Sequence, residues 1–142
     1  MPEPRLTFIV HGIAQAQLAL TTAATLGVPV CLRSAEGAGL ALGAPWFAAM
    51  IAAATSAAPA ADAIAVLDCG PHAGAALAAF RHHVEYVRVE LAAPVRMKLA
   101  AIAAQCGARL IDDAECDPVI DLDQVANPLS RCQSVLKKPG NR

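Results

Sequence analysis

One cadence constrains this chain more than any other feature. A short run of branched apolar residues ends in a polar or glycine tip, and an alanine-rich stretch at helical spacing follows. The clearest instance is Ala63 to Gly74, AIAVLDCGPHAG, in which an Ile/Val/Leu run closes on Asp68 and Cys69, turns at Gly70-Pro71 and enters a helix. A brief, almost wholly apolar run bounded by turn residues is the pattern of a buried parallel strand. Open α/β sheets bind ligands where such strands end.

The cadence recurs on both sides. Leu6–Val10 is a first strand with His11-Gly12 at its tip, and Ile13, Ala16, Leu20, Ala23 and Ala24 form a helical stripe that Gly27 caps. Val28–Leu32 is a second strand ending in Arg33, Ser34 and Glu36. A glycine-rich connection, Glu36 to Gly43, leads to a helix opened by Pro45 with Phe47, Met50, Ile51 and Ala54 inward. After the Ala63 strand, a helix carries Ala73, Ala76, Leu77 and Phe80 and stops at His82-His83, where imidazolium suits the dipole. Val84–Leu91 alternates Val87, Val89 and Leu91 with Tyr86, Arg88 and Glu90, which predicts an edge strand or a face covered by a partner. Pro94 opens the next helix, with Val95, Leu99, Ile102 and Cys106 inward, and a fifth strand runs from Arg109 to Asp112-Asp113.

The expected fold is therefore a single α/β domain of about five parallel strands alternating with four helices, its crossovers right-handed. Two architectures fit. One is a flavodoxin-like open sheet with helices on both faces; the other is half of a (βα)8 barrel with helices on one face. The near-continuous apolar strands favour the first. The α/β domain spans residues 1–113, and 114–142 form a C-terminal arm or tail. That segment holds Val119, Ile120, Leu122 and Val125, apolar enough to pack as an arm, and an amphipathic stretch after Pro128.

Composition excludes several functions. Aromatic residues make up 4% and the formal net charge is -1, so neither stacking platforms nor a basic field for nucleic acid exists. No apolar run reaches the roughly 18 residues of a membrane span, and MPEPRLTFIV lacks the basic-then-apolar start of a signal peptide. Five scattered cysteines without zinc spacing suit free thiols in a reducing cytoplasm. Hydrophobic residues at 56% in a small chain suggest a homo-oligomer.

Each strand delivers polar residues to one edge: His11; Arg33, Ser34 and Glu36; Asp68, Cys69 and His72; Glu90; Asp112 and Asp113. An arginine there can hold a carboxylate or phosphate with two parallel bonds, and a histidine beside a carboxylate can move a proton. Asp68 and His72 are the expected catalytic pair, with His11, Arg33, Ser34, Glu36 and Cys69 binding the ligand. Capping and solvation compete as explanations for each of these residues. Cys69 reads more readily as a buried thiol than as a nucleophile. Glu36–Gly43 sits where a phosphate loop would, but it lacks Gly-Lys-Ser/Thr and the spaced G-x-G-x-x-G, so a nucleotide cofactor is not expected; a plain flexible loop is, with a mobile flap or a small anion site as the alternatives. Asp112–Asp117 is an acidic loop without EF-hand spacing, and no metal site is expected.

The runs VPVCLRSAEGAGLALGAPWF, AVLDCGPHAGAALAAFRHHVEYVRVE and KLAAIAAQCGARLI resemble a small family of uncharacterised bacterial α/β proteins. The resemblance reaches from the first strands to about Ile111 and is carried by DCG and GAPWF; it implies the α/β fold and assigns no activity. The cadence is also similar to part of a (βα)8-barrel aldolase, without the metal-binding histidines of the zinc enzymes or a strand-end lysine for a Schiff base. The expected function is the binding of a small anionic metabolite at the C-terminal edge, with lyase- or isomerase-type proton transfer. The alternative is a non-catalytic assembly module.

Overall fold

The computed structural model describes residues 5–111 and 119–137. Among these residues, six parallel strands form one open sheet in the order β5-β4-β3-β2-β1-β6. The strands are β1 (Leu6–Val10), β2 (Val30–Ser34), β3 (Ala63–Gly70), β4 (Tyr86–Val89), β5 (Arg109–Leu110) and β6 (Val119–Asp121). The helices are α1 (Ile13–Leu26), α2 (Ala38–Ala41), α3 (Ala44–Ala57), α4 (Ala73–Arg81), α5 (Ala93–Gln105) and α6 (Pro128–Leu136).

The α/β class and the open parallel sheet are as the sequence predicts, with β6 as an additional strand. Among the described residues, the flavodoxin-like arrangement of helices on both faces is not found. Strands β1 to β5 are laid down side by side in one direction, and right-handed crossovers then place every intervening helix on the same side. The helices accordingly form one row in which α6 packs on α1, α1 on α3, α3 on α4 and α4 on α5. Alternate strand residues, among them Phe8, Val10, Leu32, Leu67 and Val87, meet that row and form the main core with Leu20, Phe47 and Phe80. Each such buried side chain contributes about 1.5–3 kcal/mol. Alanines at 16, 19, 23, 54, 76 and 79 are buried on the helices and let helix and sheet approach closely.

The opposite residues explain why the strands read as apolar throughout. Cys31, Val66 and Ile111 form a second buried cluster with Ile64 and Tyr86, made among those described of strand residues and of Ile111 just past the end of β5. Two expectations about polarity change with it. Strand β4 is no edge: it lies between β3 and β5, and its polar side faces this second surface. Helix α5 turns Leu99 and Ala103 inward, while Val95 and Ile102 stand 44% and 40% exposed and Cys106 is exposed. An alanine-rich helix has faces of nearly equal hydrophobicity, so its spacing does not define which one packs.

The described part of the C-terminal segment belongs to the same body. Strand β6 extends the sheet beside β1 with Thr7 opposite Val119 and Ile9 opposite Asp121. Helix α6 is capped by Asn127, whose side chain accepts from the N–H of Ser130, and it buries Cys132, Val135 and Leu136. The expected acidic loop Asp112–Asp117, including the strand tip at Asp112-Asp113, lies outside the described residues.

Candidate functional site

Register sets the site. On the helix-free side, Ile9 of β1, Arg33 of β2, Val66 of β3 and Tyr86 of β4 stand level across the sheet, with Asp121 of β6 beside Ile9. One step toward the C-terminal edge, Asp68 stands opposite Arg88. Beyond that pair the β3–β4 ladder slips, so that Gly70 rather than Cys69 faces Val89. This bulge bends the end of β3 and requires the left-handed backbone of Gly70, at φ 55.

Asp68 is 1% exposed and holds the edge together. Its Oδ1 accepts from the N–H of Gly70 at 2.9 Å and of Gly37 at 3.2 Å, which joins the bulge to the loop after β2. Its Oδ2 accepts from Arg88 Nη1 at 2.7 Å, and Arg88 Nη2 donates to Glu90 Oε1 at 2.8 Å. The N–H of Asp68 donates to Ser34 Oγ at 2.9 Å. A buried carboxylate needs such company, because burial without partners costs several kcal/mol.

The second constellation surrounds His11 at the tip of β1. Its Nε2 lies 2.8 Å from Asp121 Oδ1, and its Nδ1 lies 3.3 Å from Asp123 Oδ2. Gln15 accepts from the N–H of His11 at 2.8 Å and donates to Asp123 Oδ1 at 2.7 Å. Asp121 Oδ1 also accepts from the N–H of Asp123 at 2.9 Å. A neutral imidazole donates from one ring nitrogen only, whereas the protonated ring donates to both carboxylates at once. Chemically this is an imidazole oriented by a carboxylate at each ring nitrogen, and a histidine beside a carboxylate can move a proton.

Both constellations border one cavity of about 180 Å³ at the C-terminal edge, on the helix-free side. His11, Arg33, Glu36 and Asp68, all singled out from the sequence, line it together with Arg88, Glu90 and Asp121. Its carboxylates outnumber its guanidiniums, so Arg33 and Arg88 stand among acidic neighbours rather than in a cationic bowl.

Three expected residues do not line this cavity. Cys69 points to the helix side, buried against α2, and burial followed by the neighbouring Asp68 charge pushes its thiol up to about 12. The thiolate form that a nucleophile requires is disfavoured there. Ser34 is fully buried and spends its hydroxyl on Asp68 N–H and Ala35 O. His72 is exposed, and its backbone begins α4 without a side-chain cap.

Arg88, Asp121 and Asp123 were absent from the expected set. Arg88 was visible as one of the polar positions of an alternating strand, but its pairing with Asp68 depends on strand order. Asp121 lies 110 positions from His11 along the chain. The expected flexible loop at Glu36–Gly43 is instead a tight turn with one helical turn, α2, packed on the end of β3.

Among the described residues, no group of three or more His, Cys, Asp and Glu is placed to hold a metal ion. No described helix is long and apolar enough to cross a membrane. Compared with known proteins, the sequence matches no family model and no curated protein.

Proposed function

We propose that this chain binds a small anionic metabolite at the C-terminal edge of its sheet and moves a proton on it, a lyase- or isomerase-type step. Arg33 holds the anionic group, Glu36 accepts from a hydroxyl of the ligand, and His11, oriented by Asp121, is the acid or base. Asp68 is a positioning residue that fixes the Arg88 fork and the Gly37 loop. What supports this reading is the convergence of His11, Arg33, Glu36, Asp68, Arg88 and Asp121 on a single cavity. Its 180 Å³ falls below the roughly 300–1,000 Å³ of drug-sized sites, so the ligand has only a few carbons. The free thiols of Cys31, Cys69, Cys106 and Cys132 fit a reducing cytoplasm.

The test is a thermal-shift panel of two- to five-carbon carboxylates and inorganic phosphate. A true ligand at 100 times its Kd stabilises by about 2.7 kcal/mol, and Arg33→Ala abolishes that shift. Proton NMR of the hit in D2O then shows exchange of a carbon-bound proton, which His11→Gln removes while the thermal shift persists. A panel without any hit, or a shift indifferent to Arg33→Ala, overturns the reading.

A second reading, an assembly module, rests on α5. Val95 and Ile102 share one face of this helix beside the two-residue edge strand β5, and both are exposed. A homo-oligomer through this face becomes monomeric by light scattering in Ile102→Asp. A wild-type monomer removes the reading.

A further inference from the structure

A larger cavity lies away from the proposed anion site, at the opposite end of the strands. Strand β3 begins at Ala63, but its pairing with β4 begins only at Val66 opposite Tyr86. Over those first residues the sheet is split, and α3 leans toward α1 and touches α4 only lightly. A space of about 490 Å³ fills the split.

Its walls have one character and its mouth another. Leu20, Leu32 and Phe47, each almost fully buried, form the floor, and Ala48 and Ala52 present a smooth side of α3. Thr55, His83 and Glu85, all exposed, stand at the rim. His83 is the one described non-glycine residue with positive φ, at 62°. It occupies the position after the end of α4 where glycine is usual, its N–H bonded to Phe80 O and that of Val84 to Ala79 O. At this position glycine would adopt the left-handed backbone at less cost.

We propose that this cleft is a second binding site, for a compact amphiphile with an apolar ring or short alkyl chain and a hydroxyl or amine at one end. The volume lies in the range of small-molecule pockets, and apolar walls with a few convergent polar groups are their usual lining. The carboxylate of Glu85 selects the head group: it attracts an ammonium, tolerates a hydroxyl and repels a carboxylate. The site therefore differs in ligand class from the anion pocket and does not depend on it.

The experiment uses the full chain and the fluorescence of 1-aminoanthracene, which brightens on entering an apolar cavity, with octylamine, octanol and octanoate as competitors. Octylamine displaces the probe at least about fivefold more tightly than octanoate, a difference of about 1 kcal/mol typical of a surface charge pair. Glu85→Gln removes that preference and leaves octanol unchanged. Ala52→Trp, a substitution at an exposed helix position, fills the cleft and lowers probe affinity more than tenfold with the circular dichroism spectrum retained. Arg33→Ala leaves all of these unchanged. No brightening at millimolar protein, binding unaffected by Ala52→Trp, or octanoate equal to octylamine each overturns the proposal.

Discussion

Replacing Asp68 by alanine lowers the unfolding free energy by about 3 kcal/mol, at the lower end for a broken buried ion pair because Arg88 keeps Glu90 as a partner. The carboxylate is 1% exposed and accepts from two backbone N–H groups as well as from Arg88. Its removal leaves those donors facing a void that the rigid end of β3 does not close. At about 2–4 °C per kcal/mol for a chain of this size, the melting temperature falls by about 6–12 °C. Asp68→Asn separates the two contributions. The amide oxygen still receives the Gly37 and Gly70 N–H groups, so the loss is smaller and reports the Arg88 pairing. Urea denaturation of the three proteins is the measurement, and a loss below about 1 kcal/mol for the alanine variant rules out Asp68 as the element that ties the edge together.

The second large effect concerns Gly39, in the one-turn helix α2. A Cβ there would stand 2.5 Å from Cys69 Sγ, 3.2 Å from Asp68 O and 3.3 Å from Cys69 Cα. Gly39→Ala therefore overpacks a rigid junction and costs about 1–3 kcal/mol. Cys69→Ala alone costs about 1 kcal/mol through the small void it leaves. Together they partly compensate, because the new methyl group occupies the space of the missing sulfur. Rescue stays incomplete, since the Asp68 carbonyl remains close. The double-mutant cycle gives a favourable coupling of about 1 kcal/mol or more, and strict additivity would show that α2 does not depend on Cys69 for its seat.

The βα cadence was legible because branched apolar runs and alanine-rich stretches differ sharply in period and composition. The strand tips were legible for a related reason: a parallel sheet puts every strand's end on one edge, so His11, Arg33, Glu36 and Asp68 could be placed together without any knowledge of neighbours. Which residues touch was not legible. Asp68 meets Arg88 because β3 lies beside β4, and His11 meets Asp121 because β6 returns to β1. Neither pairing leaves a trace in local spacing. Position along the chain also says nothing about which face a tip residue takes. Asp68 and Cys69 are consecutive, yet alternation sends one to the cavity and the other to the helix layer. Helix faces were hardest to read where alanine is most abundant, as the outward Val95 and Ile102 of α5 demonstrate.

The return of β6 to β1 also carries a consequence in time. His11 is synthesised before Asp121, with 110 positions between them. Closing so long a loop is slow compared with forming the neighbouring βα units in sequence. The sheet from β1 to β5 can therefore assemble while the imidazole still lacks its carboxylate. On that order, the His11 end of the pocket is completed only when β6 returns to β1.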